Sequence, residues 1–289
     1  MIGLRTSVLA LGIPALLLAC NFELPEREIE HSTADLDTEV TLEYAEVDRG
    51  HKVVIFLHGY TDSWFSFSEL LDRVPWGYHG YALSQRGHGD SDRPLSGYAM
   101  GDFADDVDAF MEHHDIDHAT IVGHSMGSVV AQRFALDYPD RVDNLVLIGA
   151  SALPGNEAVL GLNDYVQTQV TDPVDPAFVT DFQLSTLAQP VPEQFIDTVI
   201  AESLMVPAFV WKAALGQLVE VDYRNELAQI TAPTLIVWGD QDTIFGLVDQ
   251  QELDAGIPDS TLLVYEGHGH GVHWEDPDRV SDDLFDFID

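Results

Sequence analysis

The chain has 289 residues, 46% of them hydrophobic, and carries 12 lysines and arginines against 50 aspartates and glutamates, a formal charge of −38. That length suits one large α/β domain or a domain with an insert, and the apolar content excludes global disorder. The acids are dispersed and the only lysines are Lys52 and Lys212, so the surface is solvated, self-repelling and suited to a saline setting, which excludes nucleic acid and strongly anionic partners.

Residues 1–20 stand apart. Arg5 precedes the apolar stretch Val8–Ala19, which is too short to span a bilayer and reads as a secretory signal. The segment ends in "LLLAC", and Cys20 is the only cysteine in the chain. This ending resembles a bacterial lipobox, which implies that Cys20 is acylated, becomes the mature N-terminus and anchors the exported protein to a membrane. The other reading is a signal cut nearby, giving a secreted protein. Residues 21–38, opening "NFELPEREIE", are polar and acidic and are predicted to be a tether.

The predicted core covers residues 39–152 and 222–289. Val40–Val47 alternates as a strand does, and "KVVIFLHG" (Lys52–Gly59) is a continuous apolar run expected of a strand buried on both faces. Ser66–Val74 is predicted helical, "YHGYALS" a strand, and Gly101–His114 a helix with acids outward. "ATIVGHS" is strand and turn, Ser128–Tyr138 a helix stopped by Pro139, and "VDNLVLIGA" another buried strand. Such alternation predicts an α/β fold, a mostly parallel sheet with helices on both faces. In residues 153–221 the pattern changes to apolar residues at helical spacing with frequent prolines, predicting a cap of short helices. "APTLIVWG", Leu247–Ala255, "STLLVYE" and Pro277–Ile288 then resume as strand, helix, strand and final helix.

"IVGHSMGS" sets Ser125 between a strand and a helix, with Gly123 and Gly127 two residues to either side. A serine on so sharp a turn takes a strained backbone, and side chains at those two flanking positions would collide. This is the G-x-S-x-G nucleophile elbow; a serine that merely caps the helix is the alternative. "QRGHGDS" carries two glycines but fails the spacing of a dinucleotide cradle.

With these motifs, residues 40–289 resemble the α/β-hydrolase superfamily. The resemblance of "FLHGYTDSWFSF" implies an oxyanion hole from the N–H groups of Tyr60 and Met126, with His58 supporting the loop. The family order of serine, acid, histidine then implies an acid after "TLIVWG". Asp240 and Asp242 both follow that strand; the family spacing selects Asp242 and leaves Asp240 to hold the turn. "EGHGHGVHWEDP" resembles the family's ending and implies His270 as the base, with His273 packing beside Trp274 and Asp276 capping the last helix. His268 and His270, two apart on an extended strand, would share a face as zinc ligands sometimes do. Further ligands are lacking, so neither a metal nor a cofactor is expected.

The implied chemistry is covalent: Ser125 attacks a carbonyl while His270 moves the proton and Asp242 holds the ring. A small or medium apolar, uncharged carboxylic ester is the expected substrate. Trp64, Phe178, Phe182, Met205 and Trp211 are candidates to line its pocket, although such rings equally pack a cap onto a sheet. Carbon–carbon bond hydrolysis, lactone hydrolysis and cofactor-free haloperoxidase-like chemistry are the rival reactions. A ligand-binding homologue without turnover is the rival class.

Overall fold

The computed structural model describes residues 28–289. Strands β1 (Glu30–Asp35), β2 (Thr41–Asp48), β3 (Gly50–Leu57), β4 (Gly77–Leu83), β5 (Ala119–His124), β6 (Val142–Ile148), β7 (Thr234–Gly239) and β8 (Ser260–Tyr265) make one sheet, ordered β1-β2-β4-β3-β5-β6-β7-β8. The pairs β1–β2 and β2–β4 are antiparallel, and every pair from β4 to β8 is parallel.

Among the described residues ten α-helices accompany the sheet: α1 (Ser68–Asp72), α2 (Met100–His113), α3 (Met126–Asp137), α4 (Glu157–Gln169), α5 (Pro176–Leu184), α6 (Glu193–Met205), α7 (Ala208–Leu218), α8 (Leu247–Gly256), α9 (Val272–Glu275) and α10 (Pro277–Ile288). The apolar run of β3 explains why both faces are covered. Ile55 and Leu57 join the core shared with α2, α3 and the cap, whereas Val54 and Phe56 join the core shared with α1 and α10. All four are fully buried, each worth about 1.5–3 kcal/mol of stabilisation.

Two expectations about the N-terminal region fare differently. Residues 1–27, with the whole of the predicted signal, Cys20 and the first seven residues of the tether, lie outside the described residues. The tether prediction fails for residues 30–35, which form β1 at the sheet edge, in register from Glu30 opposite Glu46 to Asp35 opposite Thr41. Of its side chains only Ala34 is buried, so backbone pairing and not an apolar face holds it there, and no hydrophobic period marks it in the sequence.

Between the two halves of the core, α4 to α7 form a helical cap. Asn156 and Asp175 accept from Val159 N–H and Ala177 N–H and start α4 and α5, and Pro176 occupies a first-turn position that needs no donor. Helices α6 and α7 meet at a 96° bend around Pro207; among the described residues no single helix is long and apolar enough to cross a membrane.

One buried ion pair ties the edge strands to the helical layer. Arg86 grips Asp106 of α2 through two bonds of 2.5 and 2.6 Å, Thr38 donates to the same carboxylate at 2.6 Å, and Arg86 also donates to Gly97 O. Removing one member of a buried pair strands the other charge. Asp106→Ala is therefore expected to lower the unfolding free energy by about 3–5 kcal/mol in urea denaturation; a loss below about 1 kcal/mol, the range of an exposed pair, would show the pair to be dispensable.

Candidate active site

Ser125 sits at the carboxyl end of β5, where the chain turns into α3, with φ 52° and ψ −118°. Positive φ is unusual for a residue with a side chain, and the packing around it explains its persistence. A Cβ at Gly123 would lie 2.3 Å from the Gly127 carbonyl oxygen, and one at Gly127 would lie 2.0 Å from the Leu57 carbonyl oxygen. Strand, elbow and helix touch backbone to backbone, so only glycine fits at either flank.

Asp242 and His270 come from the loops after β7 and β8. Asp242 Oδ2 lies 2.8 Å from His270 Nδ1, and Oδ1 accepts from the N–H groups of Ile244 (2.7 Å) and Phe245 (3.0 Å). Both side chains are buried. A carboxylate only accepts, so Nδ1 carries the proton and Nε2 is the free lone pair. That Nε2 is buried without a hydrogen-bond partner, and His270 lines the same pocket as Ser125. Asp240 instead accepts from Gly267 N–H at 2.7 Å and from Gln241, contacts that hold its carboxyl below its ordinary range.

The neighbouring histidines have other surroundings. His268 sits edge-on to Tyr265, with Nδ1 bonded to Glu266 O. His273 is buried against Phe67, His124 and Trp274. Burial, reinforced by the His270 ring, pushes His273 down to about 3, and burial also pushes His124 well below the imidazole range. Both are neutral at neutral pH. Among the described residues no group of histidines, cysteines and acids is arranged to hold a metal.

Tyr60 follows β3 and lines the pocket, and its hydroxyl donates to Trp211 O in α7 at 2.6 Å. Met126 opens α3, so its N–H belongs to the first-turn donors that a helix leaves unpaired. His58 accepts from Gln85 N–H at Nε2 and donates from Nδ1 to Gly59 O, pinning the loop that carries Tyr60.

The predicted pocket needs correction. Its lining is Gly59, Tyr60, Asp62, His124, Ser125, Phe182, Gln183, Thr186, Ile244, His270 and Trp274, so of the five aromatic and apolar candidates only Phe182 is present. Trp211 is wholly buried behind Tyr60, and Phe178 stacks behind it in turn. Trp64 packs against His31 and the opposite core. Met205 is 43% exposed because α6 ends there and the chain bends away. The sequence reading passes over Asp62, Gln183, Thr186 and Ile244. For Asp62 a signal exists, an acid within an otherwise uncharged loop three residues beyond Gly59.

The pocket encloses only about 20 Å³, room for roughly one water. Thr186 O accepts from the N–H groups of His270 and Gly271, and Gln183 donates to Asp62. The cap thus packs directly against the site.

A sheet whose strand ends hold an elbow serine, an acid and a histidine in that chain order defines a class, and sequence comparison agrees. The family model described as alpha/beta hydrolase fold matches residues 52–277, and the chain belongs to that family. It is 30% identical over 246 residues to AB hydrolase superfamily protein YisY of Bacillus subtilis, covering 81% of this chain and 91% of that one. It is 27% identical over 267 residues to 2-hydroxy-6-oxononadienedioate/2-hydroxy-6-oxononatrienedioate hydrolase of Cupriavidus pinatubonensis, covering 88% and 92%. An esterase from Exiguobacterium antarcticum shares the fold at TM-score 0.79 and 22% identity over 90% of this chain and 99% of its own.

The crowding at the elbow makes a specific demand. Gly127→Ala is expected to lose about 3 kcal/mol or more of unfolding free energy, because backbone atoms cannot yield. Gly101→Ala, whose Cβ meets nothing within 4 Å in α2, is expected to gain up to about 1 kcal/mol. Thermal and urea denaturation of the two variants check the contrast, and equal stabilities would refute the packing described.

Proposed function

We propose that the protein is a serine hydrolase that cleaves carboxylic esters of small or medium, largely apolar substrates through an acyl-enzyme. The observation that carries this reading is the 2.8 Å contact between Asp242 and His270, whose free Nε2 shares a pocket with an elbow serine. In the proposed mechanism His270 Nε2 takes the Ser125 proton, the alkoxide attacks the carbonyl, and the N–H groups of Tyr60 and Met126 hold the oxyanion. His270 then protonates the leaving alcohol and activates the water that releases the acid. Asp242 fixes the tautomer and stabilises the imidazolium.

Carbon–carbon bond hydrolysis is the second reading, because the Cupriavidus relative is named as hydrolase of a hydroxy-oxo-dienedioate, a substrate class without an ester bond. The substrate in that name is a dicarboxylate. Among the described residues no arginine or lysine lines the pocket, and the one acidic residue there is Asp62; a doubly negative substrate would enter without a counter-charge. That asymmetry favours esters or lactones without an anionic group. It also matches the composition of the whole chain, in which 50 acids outnumber 12 bases.

A fluorophosphonate probe is expected to label the full chain and to leave Ser125→Ala unlabelled. Asp242→Asn should lower kcat on p-nitrophenyl esters by about 10⁴-fold through the wrong tautomer. Run beside the ester panel, a vinylogous diketone should be turned over far more slowly. Labelling that survives Ser125→Ala would defeat the nucleophile assignment; labelling without turnover of any substrate would indicate a binding homologue.

We also place the enzyme at a membrane of the exporting cell through acylation of Cys20. Support lies in the apolar Val8–Ala19 stretch and the single cysteine closing it. Fatty-acid labelling in a bacterial host should be present in the natural chain and absent in Cys20→Ala, whose product is expected in the soluble exported fraction. Equal labelling of both would defeat the anchor.

A further inference from the structure

The proposed mechanism leaves one pocket carboxyl without a task. Asp62 lies two residues beyond Tyr60, is 3% exposed, and lines the pocket with Ser125 and His270. Gln183 of α5 donates to its Oδ1 at 2.9 Å, and the same Gln183 amide donates to Ser203 Oγ of α6 at 2.8 Å. This amide holds the carboxyl in place, yet it is not a cation.

Other charged and titratable groups around it do not fill that role. A Cβ built on Gly59 would lie 2.9 Å from both Asp62 Oδ2 and His124 Nδ1, which puts that imidazole beside the carboxyl, but burial keeps it neutral. His270 attracts the carboxyl from the loop after β8 and is already bonded to Asp242. From α6, Glu202 sits by Ser63 and faces Glu43, Asp90 and Arg93, a seam that is acidic on balance. Burial pushes Asp62 up to about 7, against the opposing pull of Gln183, His270 and Gly59. The carboxyl is therefore neutral well below that pH, and above it a buried negative charge waits for a partner. Around it the pocket presents the rings of Tyr60, Phe182 and Trp274, and aromatic faces beside a carboxylate favour an ammonium group.

We propose that Asp62 is a specificity-determining residue that selects esters carrying an ammonium group, the carboxylate meeting the positive charge and the three rings its alkyl shell. This rests on the ester-hydrolase reading and narrows it: anionic substrates are excluded, and among the rest a cation is preferred over a neutral group of the same shape. The negative surface adds a general attraction for cations, which salt screens; the Asp62 contribution is local and outlasts screening.

The test uses the full chain and three p-nitrophenyl esters with acyl chains of equal length, ending in tert-butyl, trimethylammonium or carboxylate. Assays in about 1 M salt shorten the screening length to about 3 Å and silence the surface field. At about pH 8 the ammonium ester is expected to exceed the tert-butyl ester in kcat/KM by about tenfold, with the carboxylate ester below both; at about pH 6, where Asp62 takes up its proton, the ratio should shrink severalfold. Asp62→Asn keeps an acceptor for Gln183 and should bring the ammonium-to-neutral ratio close to one at both pH values. A second measurement needs no variant: tetramethylammonium should inhibit hydrolysis of the tert-butyl ester in the unmodified protein, more strongly as pH rises through about 7. A ratio unchanged by Asp62→Asn, or inhibition flat across that range, overturns the assignment while neutral-ester turnover leaves the ester reading standing. Absence of both labelling and turnover removes the ester reading, and this one with it.

Discussion

The site depends on one backbone conformation, the positive φ of Ser125. It is held because β3, β5 and α3 approach backbone to backbone at Gly123, Gly127 and Leu57. Strain of that kind persists only where the surroundings over-determine it, and here they are the central strands of a sheet buried on both faces. The other contributors follow from the same sheet. Because β3, β5, β7 and β8 run parallel, their carboxyl ends share one edge. Tyr60 and Asp62 follow β3, Asp242 follows β7 and His270 follows β8. Residues more than two hundred positions apart converge through strand direction alone.

Nor is the cap an independent lid. The segment from Gln183 to Gln189 touches both arms of the site. Gln183 bonds Asp62 in the loop that carries Tyr60, and Thr186 O accepts from His270 and Gly271. Glu275 closes the second contact: Oε1 accepts from Ala188 and Gln189 N–H at 2.5 and 2.9 Å, and Oε2 from Gly269 N–H at 2.8 Å. One carboxylate thus bridges the cap to the loop bearing the base. Any displacement of the segment from Gln183 to Gln189 would therefore also disturb the loop that sets His270.

How much of this was legible in the sequence depends on the range over which each feature is decided. The buried strands were legible because β3, β5, β6 and β7 are local apolar runs. The elbow was legible because its steric demand spans five residues, and Asp242 was separable from Asp240 by spacing that the loop geometry also distinguishes. By contrast β1 offers one buried side chain in six residues, leaving no period to read. The pocket was the least legible part. Phe178, Met205 and Trp211 have the chemistry of lining residues, but which side chain faces the cavity is set by how four short helices cross, and their spacing does not encode that. Trp64, just after β3, turns instead toward His31 and the opposite core. Asp62 was overlooked for a related reason, since an acid in a loop reads as solvated until the cap is seen to cover it.

The excess of acid means different things outside and inside. On the surface, carboxylates are hydrated and need no partner, so a charge of −38 constrains solubility and steering but not the fold. Within the described residues, buried carboxylates are each handled differently. Asp106 is met by the guanidinium of Arg86, and Asp242 by two backbone donors and the His270 imidazole. Asp62 has the Gln183 amide but no cation, and of the three it is the one placed on the pocket wall. A folded chain gains nothing in stability from an uncompensated charge. Placed where a ligand must pass, that deficit becomes binding energy reserved for a group able to supply the missing positive charge.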